Sequence, residues 1–425
     1  MKILLLGSGG REHAFAWKIS QSPLCTSLFI APGNAGTKGL GQHFSFSVTD
    51  FEAIRACCKE QAIDMVIVGP EEPLVKGLVE FLRADPLLQS LLIIGPGQQG
   101  AALEGSKAFA KAFMQRHGIP TASYREFTQE NYQEGRSYLQ SHPLPIVLKA
   151  DGLAAGKGVL ICATHQEALL GFEEMIQSSK FGEAGKKVVV EEFLQGIEIS
   201  VFALTDGKNY VLLPEAKDYK RIGEGDSGLN TGGMGAVSPV PFVDAILWEK
   251  IRSQVVEPTI MGLQKDDIPY CGFVFIGFMI VKGEPFVIEY NCRMGDPETE
   301  VVLPRLQVDL VELLSAAAKG ELKNYTIETD SRTACTVVAV SGGYPEEYKK
   351  GYSIQGLDQL PDTALVFHMG TQQEGDQTIT SGGRVLAVTA FGNSVTEAAE
   401  AASKVQSAIQ FEGKYYRRDI GFEFK

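Results

Sequence analysis

Short apolar runs recur along the first hundred residues of the chain. They occupy positions 3–6, 28–31, 65–68 and 91–94. Longer stretches with one apolar face lie between them, such as 50–61 and 74–84. Short, wholly apolar runs are typical of strands buried on both faces of a parallel sheet, and the longer stretches fit crossover helices. The pattern therefore predicts a doubly wound parallel-sheet domain at the start of the chain.

A glycine or proline turn follows each predicted strand. In an open parallel sheet these carboxyl ends border the ligand crevice. The first turn, Gly7-Ser8-Gly9-Gly10, leads into a helix, so its backbone amides could approach a phosphate. The alternative is that these glycines only form a tight turn.

A dinucleotide-binding domain would need two further features at this place. It would carry a third glycine at position 12 and an acidic residue after the second strand. The chain has Glu12 instead, and it has no acid from Phe29 to Asn34. The sequence therefore disfavours a nicotinamide-dependent oxidoreductase and leaves a phosphate or substrate loop.

The pattern changes after a predicted helix at about 104–117. Strands at 147–150 and 158–162 flank a glycine-rich loop. Two hairpins are predicted, one from 198–204 with 210–213 and one from 273–281 with 285–291. Such an order indicates an α+β layer. The last hundred residues predict a smaller α/β cap, with strands at 333–340, 365–369 and 384–389 and a helix at about 394–409.

Composition and charge narrow the class of protein. A chain of 425 residues with 44% hydrophobic and 21% charged residues predicts a folded protein of two to four domains. The net charge of −13 disfavours non-specific binding to nucleic acid or an anionic membrane. Seven cysteines without a CxxC pair fit reduced thiols in the cytoplasm. No segment approaches the roughly 20 apolar residues of a membrane span.

Two groups of residues point to phosphate and metal chemistry. Loop 151–158 contains Lys157 and follows Lys149, so it could close over a triphosphate, although it lacks P-loop spacing. Further on, Glu289, Asn291 and Arg293 alternate along one strand and share a face. A carboxylate and an amide oxygen suit Mg²⁺, and the arginine could hold a carboxylate or a phosphoryl group.

A third group is polar and rich in glycine. Asp218, Lys220 and Arg221 precede the loop Asn230-Thr231-Gly232-Gly233-Met234-Gly235. Adjacent cations and a hydroxyl-bearing loop could bind phosphate or carboxylate. Each half is common on protein surfaces, so this signal is weak alone.

Seven blocks in order resemble the glycinamide ribonucleotide synthetase (phosphoribosylamine–glycine ligase) family of ATP-grasp enzymes. They are Gly7-Ser8-Gly9-Gly10-Arg11-Glu12-His13, Ala31-Pro32-Gly33-Asn34-Ala35-Gly36-Thr37, Gly69-Pro70-Glu71, Leu103-Glu104-Gly105-Ser106-Lys107, Lys149 to Gly158, Asn230 to Gly235, and Glu289 to Glu298. The resemblance implies three domains: a substrate-binding domain at 1–103, an ATP-grasp domain at 104–324 with a mobile lid at about 122–192, and a cap at 325–425.

The resemblance also implies a role for each matching position. ATP would contact Lys107, Lys149, Gly156, Lys157, the hinge residues Glu191, Glu192 and Phe193, and Glu198 at the ribose. Glu289 and Asn291 would bind the metal. The substrate pocket would contain Gly10, Gly33, Asn34, Glu71, Asp218, Lys220, Arg221, Thr231, Gly232, Gly233 and Arg293. The catalytic residues would be Arg293, Asp296 and Lys149.

The implied reaction joins glycine to 5-phosphoribosylamine through glycyl phosphate, with ATP and Mg²⁺, or Mn²⁺ in its place. We expect a cytoplasmic monomer or weak homodimer without nucleic-acid or membrane partners. The chain departs from the family at Met294, usually phenylalanine, and at Thr299-Glu300, where a glutamine-containing version is commoner. Two alternatives stay open: another ATP-grasp ligase or carboxylase of purine synthesis, and a nucleotide-sensing protein without activity.

Overall fold

The computed structural model describes residues 1–152, 158–177, 187–361 and 363–424. It confirms the predicted multidomain α/β and α+β architecture. No helix in these ranges is long and apolar enough to cross a membrane.

The first domain is built on five parallel strands in the order β3-β2-β1-β4-β5. The strands are β1 Lys2–Gly7, β2 Ser27–Pro32, β3 Gln42–His43, β4 Met65–Val68 and β5 Leu92–Ile94. The helices are α1 Gly10–Ile19, α2 Phe51–Glu60, α3 Glu71–Val75, α4 Leu78–Arg83 and α5 Gln98–Gly105. Strands β1 and β4 are almost wholly buried, as their apolar runs predict.

Two predicted helices are each divided in the structure. The helix predicted at 74–84 breaks at Gly77, whose φ of 86° is left-handed and ends α3 before α4 begins. The helix predicted at 104–117 breaks at Ser106, which is extended and accepts a hydrogen bond from the Phe109 amide. Serine is a preferred residue at a helix start, so a new helix begins there.

Within the described residues, the region predicted as the lid contains a four-stranded antiparallel sheet and two helices that cover it. Its elements follow α6 Lys107–Arg116 and are β6 Tyr124–Thr128, α7 Tyr132–Ser141, β7 Ile146–Ala150, β8 Val159–Cys162, α8 His165–Gln177 and β9 Lys187–Glu192. The strand order is β6-β9-β7-β8. Phe127 and Phe172 centre a separate apolar core under this sheet.

The central region contains a second four-stranded antiparallel sheet. The elements of the whole region are β10 Ile197–Thr205, β11 Tyr210–Leu212, β12 Lys217–Asp218, β13 Arg221–Gly223, β14 Ser227–Asn230, β15 Gly235–Ser238, α9 Ala245–Ile251, α10 Glu257–Lys265, β16 Gly272–Val281 and β17 Glu284–Asn291. The sheet order is β11-β10-β16-β17, and both predicted hairpins are present.

The last sheet draws strands from two distant parts of the chain. The remaining elements are α11 Thr299–Arg305, α12 Leu310–Lys319, β18 Thr333–Val340, β19 Leu365–His368, β20 Thr371–Glu374, β21 Gln377–Thr380, β22 Arg384–Gly392 and α13 Val395–Ala408. The order is β12-β15-β18-β22-β19, so two strands from the central region complete the sheet of the cap. The sequence pattern did not predict this pairing.

Candidate active site

Arg293 lies just after β17 and connects to two helices of the first domain. Its Nη2 donates to Oε1 of Glu104 on α5 at 2.6 Å, and its Nε donates to Oε2 of Glu71 on α3 at 3.2 Å. Burial alone lowers the pKa of Arg293, but Glu104 and then Glu71 raise it above its ordinary value. The guanidinium is therefore a fixed, permanently charged group in a largely buried position.

Two more arginines reach the turn that follows Arg293. Arg11 of α1 donates through Nη1 to the Met294 carbonyl at 3.0 Å, and Arg293 donates to the same oxygen at 3.2 Å. From the cap, Arg384 donates to the Asp296 carbonyl at 2.7 Å, and its Nη1 lies 3.0 Å from Asp296 Oδ1. Three arginines from three parts of the chain therefore meet at residues 294–296, which we call the arginine turn. Such a cluster suits anionic substrates.

The glycine turn before α1 differs from the simple phosphate loop predicted for it. The Gly9 amide donates to Glu12 Oε2 at 2.7 Å, and the Arg11 amide donates to Asp296 Oδ2 at 3.2 Å. Two backbone donors therefore already meet carboxylates. A Cβ at Gly10 would overlap Glu300 Oε1, so Gly10 lies packed against a side chain.

Asn34 is a buried residue whose side chain ties several loops together. Its Nδ2 donates to the carbonyls of Ser8 at 2.9 Å and His368 at 2.7 Å. Its Oδ1 accepts from the amides of Gly36 and Thr37. The neighbouring Gly33 has a φ of 73°, and a Cβ there would crowd His43 and Thr37. Both residues of this predicted pocket wall thus set the shape of the loop.

Two predicted ATP lysines lie beside the glycine-rich loop. Lys107, at the start of α6, donates to the Gly152 carbonyl at 3.0 Å. Lys149 on β7 donates to the Ile288 carbonyl at 2.9 Å and lies 3.0 Å from Glu191 Oε1. Gly156 and Lys157 lie outside the described residues. Lys149 therefore contacts β17 directly, whereas Lys107 contacts the start of the glycine-rich loop.

The predicted adenine hinge begins where β9 ends. Glu191 is buried, and its side chain faces Lys149 instead of solvent. Glu192 accepts a hydrogen bond from the Ser123 amide at 2.8 Å. Phe193 follows it and is 38% exposed. An exposed aromatic ring after a strand end offers a face on which a purine could pack.

Lys220 links the predicted ribose and metal residues. Its Nζ lies 2.8 Å from Glu198 Oε2 and 3.7 Å from Glu289 Oε1. The ammonium of Lys220 is the main cause that lowers the pKa of Glu198. Asn291 lies one alternation further along β17, and its Oδ1 accepts from Arg293 at 3.3 Å. Glu198, Lys220, Glu289 and Asn291 therefore lie in a row that ends at Arg293, beside the arginine turn.

The donor set at Glu289 and Asn291 fits a magnesium ion that also binds nucleotide phosphates. Mg²⁺ prefers oxygen ligands, and in nucleotide sites it takes only one or two protein carboxylates. Within residues 1–152, 158–177, 187–361 and 363–424, no group of three or more His, Cys, Asp or Glu side chains could hold a metal alone. The site would therefore need the phosphates as partners.

The glycine-rich loop after β14 closes the pocket on the cap side. Thr231 Oγ1 donates to the Lys220 carbonyl at 2.8 Å and accepts from the Gly233 amide at 3.0 Å. The Gly232 carbonyl accepts from Arg384 at 2.7 Å. A Cβ at Gly232 would lie 2.9 Å from Arg384 Cζ and would push the guanidinium away from the loop.

Asp218 and Arg221, which lie on either side of Lys220 and its neighbour in the chain, have different surroundings. Asp218, on β12, is buried, and burial raises its pKa. Arg221 opens β13 and donates to the Gly228 carbonyl at 2.8 Å. Arg221 therefore holds the β13–β14 hairpin together, while Asp218 faces the Lys220 cluster.

Four residues that build the site had no role assigned from the sequence: Arg11, Glu104, Lys111 and Arg384. Arg11 and Glu104 stand inside blocks that carry the family resemblance, so position could have indicated them. Arg384 follows Gly382-Gly383, where Gly382 lies against the Gly370 backbone and Gly383 lies against the Tyr344 ring. Lys111 is one helical turn after Lys107, a spacing that places both on one face.

The fold and these residues define an ATP-grasp protein. Known proteins match the chain along its whole length. The family models of phosphoribosylglycinamide synthetase match it in three pieces: the N domain at residues 1–104, the ATP-grasp (A) domain at 105–299 and the C domain at 334–423. The chain belongs to the phosphoribosylglycinamide synthetase family, which confirms the resemblance read from its motifs.

Individual relatives agree with the family models. The chain is 46% identical to the phosphoribosylamine–glycine ligase of Vibrio cholerae, over 99% of this chain and 98% of the relative. It is also 46% identical to that of Chlorobaculum tepidum, over 99% of both chains. The crystal structure of the Thermotoga maritima ligase has a TM-score of 0.85 at 34% identity, covering 99% of this chain and all of that one (100%). The biotin carboxylase domain of Hydrogenobacter thermophilus 2-oxoglutarate carboxylase, at 16% identity, covers 98% of this chain and 92% of its own with a TM-score of 0.74, and shares the fold.

Proposed function

We propose that this chain joins glycine to 5-phosphoribosylamine, with ATP converted to ADP and phosphate, through a glycyl phosphate intermediate. The observation that carries the proposal is the arginine turn beside Glu289 and Asn291. It brings an anion-binding cluster next to residues suited to a magnesium nucleotide. Family membership and the names of the relatives support the same reaction.

Residues on the lid side would hold ATP. Lys107 and Lys149 would contact the phosphates, because both ammonium groups approach β17 near Glu289 and Asn291. The segment from Glu191 to Phe193 would bind adenine, and Glu198 would bind the ribose. Glu289 and Asn291 would hold Mg²⁺, which neutralises charge on the transferring phosphoryl group.

The first chemical step would form an acyl phosphate. A carboxylate oxygen of glycine attacks the γ-phosphorus of ATP, and the bond from that phosphorus to the bridging oxygen of ADP breaks. Arg293 would hold the glycine carboxylate, because its fork is fixed by Glu71 and Glu104 and aligned with the end of β17. Lys149 would steady the transferring phosphoryl group.

The second step would form the amide. The amine nitrogen of phosphoribosylamine attacks the carbonyl carbon of glycyl phosphate, and the bond from that carbon to the phosphate oxygen breaks. The proton that leaves the nitrogen is taken up by the released phosphate. Asp296 would face the incoming amine. Glu71, Asp218, Lys220 and the 231–233 loop would surround the sugar phosphate, with Gly10, Gly33 and Asn34 shaping the wall and Arg221 holding the adjoining hairpin. Arg384 would add a cation from the cap.

Several finer properties belong to the same proposal. Mn²⁺ would replace Mg²⁺ at the same oxygen ligands. The chain would work in the cytoplasm as a monomer or weak homodimer, with domains at 1–103, 104–324 and 325–425. The lid, at about 122–192, would close over the acyl phosphate and keep water away.

The activity is tested by measuring ADP release with Mg-ATP, glycine and freshly generated phosphoribosylamine. We expect release to require both substrates and glycinamide ribonucleotide to appear in equal amount. Release that ignores glycine would contradict the proposal and direct attention to other carboxylates or bicarbonate.

The intermediate has its own test. Glycine labelled with ¹⁸O in its carboxylate should transfer one labelled oxygen to inorganic phosphate for each amide formed. Phosphate without the label would exclude glycyl phosphate while leaving the ligase activity in place.

A further inference from the structure

A buried cluster of three charges joins the lid to the helix that precedes it. Glu191 on β9 pairs through Oε1 with Lys149 of β7 at 3.0 Å and through Oε2 with Lys111 of α6 at 3.1 Å. The side chains of Lys111 and Glu191 are 2% and 3% exposed, and that of Lys149 is 11% exposed. We call these three residues the buried triad.

Hydrogen bonds fix the geometry of Lys111. Its Nζ donates to Thr121 Oγ1 at 2.8 Å and to the Ala122 carbonyl at 3.2 Å. Thr121 in turn donates to the Val287 carbonyl on β17 at 2.6 Å. With Glu191, these bonds give the ammonium of Lys111 three partners, which is its full capacity as a donor. Lys111 therefore has no N–H donor left over for a nucleotide phosphate.

The net charge of the buried triad determines how strongly an anion near Lys149 is attracted. Two ammonium groups and one carboxylate leave a net charge of +1. Without Lys111, Lys149 and Glu191 would form a neutral pair, and the attraction of Lys149 for phosphates would be weaker in this poorly solvated place. Burial lowers the pKa of Lys111 to about 8, although Glu191 opposes the shift. Lys111 is thus still largely protonated near neutral pH.

We propose that Lys111 is a positioning residue that offsets the charge of Glu191 and so keeps Lys149 effective toward the phosphates of ATP. The proposal rests on the proposed function, in which Lys149 contacts those phosphates. It explains why a lysine with no N–H donor left over for the nucleotide is placed on the same face of α6 as Lys107, one turn later. It also assigns the Glu191 side chain a role as the partner of both lysines, in addition to the proposed binding of adenine by its backbone.

The test compares two ligands of the full-length protein, MgATP and adenosine, by calorimetric titration. Lys111→Met should raise the Kd for MgATP about tenfold, because the net charge beside the phosphates falls from +1 to zero. The Kd for adenosine, which carries no phosphate, should change by less than about twofold. Lys111→Arg keeps the charge and should restore the MgATP affinity to within about threefold.

Further variants separate the possible failures. Lys18→Met is the control, because Lys18 is a partly buried lysine that donates to the Leu306 carbonyl, and it should leave both affinities unchanged. Lys149→Met should weaken MgATP binding; if it does not, the phosphate role of Lys149 in the proposed function is wrong.

Two results would overturn the role of Lys111 itself. If Lys149→Met weakens MgATP binding but Lys111→Met does not, the charge argument fails. If Lys111→Met weakens MgATP and adenosine equally, Lys111 only supports the fold. Should Lys111→Met not fold, Lys111→Gln, which keeps a donor without the charge, is measured against the same two outcomes.

Discussion

The side-chain amide of Asn34 donates a 2.7 Å hydrogen bond to the backbone carbonyl of His368. Asn34 follows the second strand of the first domain, whereas His368 ends β19 in the cap. The backbone amide of His368 in turn donates to His13 Nδ1 at 2.7 Å. A short polar contact thus joins the first domain to the cap beside the proposed substrate pocket.

Asn34→Ala should destabilise the protein, because it leaves buried carbonyls and amides without partners. We expect the free energy of unfolding to fall by about 2 kcal/mol, measured by denaturant unfolding. Asn393→Ala is the matched control. Asn393 is exposed, and its side-chain amide donates to Glu397 Oε2 at 3.0 Å. Equal effects of the two changes would show that the link to the cap adds nothing.

Arg293→Ala should abolish turnover and leave the affinity for MgATP within about threefold. The reason is that the guanidinium is proposed to hold glycine and not the nucleotide. Steady-state assays and nucleotide titration measure the two effects, with Arg332→Ala, an exposed arginine paired with Asp330, as the control. An active Arg293→Ala protein would remove Arg293 from the mechanism.

Loss of Arg293 also leaves Glu104 buried with one ion-pair partner fewer. Arg293→Lys therefore serves as a second variant, because it keeps a positive charge beside Glu104 but lacks the planar fork. We expect this variant to fold and to turn over about a hundredfold more slowly.

Glu300→Gln should stabilise the protein at high pH. Both carboxylate oxygens of Glu300 are buried without a hydrogen-bond partner, and burial followed by Asp296 raises its pKa well above the ordinary value of 4.5. The folded state thus binds this proton more tightly than the unfolded state, so the contribution of Glu300 to stability is present below the unfolded pKa and is lost as the pH rises through the folded pKa.

The amide of glutamine mimics the neutral acid at every pH. We expect Glu300→Gln to match the parent at about pH 4.5 and to exceed it by about 1–3 kcal/mol at a pH above the raised pKa of Glu300. Thermal unfolding across this range measures the difference. Glu60→Gln, at an exposed glutamate, should follow the parent throughout; a pH-independent gain at Glu300 would contradict the titration.

Arg417→Met should loosen the β13–β14 hairpin. The Arg417 side chain has no exposed surface, and it pairs with Asp226 at 2.6 Å and Asp419 at 2.8 Å. Removing it leaves Asp419 and the partly exposed Asp226 without their cation, which costs about 1–3 kcal/mol of stability. Trypsin should then cleave faster after Lys220 and Arg221. Mass spectrometry of the digest measures the rate of this cleavage.

The neighbouring Arg418 provides the control for this experiment. Its side chain is 81% exposed, so Arg418→Met should not change the cleavage rate within the hairpin. Identical cleavage of both variants would show that Arg417 does not hold the hairpin.

Local patterns predicted most of the strands and both central hairpins, because burial leaves a direct mark on the sequence. The apolar run at 65–68 is a buried strand. The predicted strand that ends at Asn291 is also present, and the Asn291 side chain accepts a hydrogen bond from Arg293. The breaks at Gly77 and Ser106 were missed, since an apolar face continues across both positions. A left-handed glycine and a capping serine decide those boundaries, and neither changes the hydrophobic period.

The sequence pattern does not indicate which distant segments of the chain pair or contact each other. The pairing of β15 with β18 joins segments far apart in the chain, and no periodicity indicates which strand becomes a neighbour. The same holds for Arg384, whose role depends on its distance to Asp296. Resemblance identified the matching site residues, but it assigned roles only where a motif was already known.

The shared sheet of the cap has a consequence for how the protein is made on the ribosome. Strands β12 and β15 leave the exit tunnel long before β18 and β22, so the edge of β15 that pairs with β18 stays unpaired until the strands of the cap are made. Arg384 begins β22 and reaches Asp296 only at that late stage. The residues proposed to bind the nucleotide therefore emerge before Arg384, and the arginine turn gains its cation from the cap only when β22 has been made.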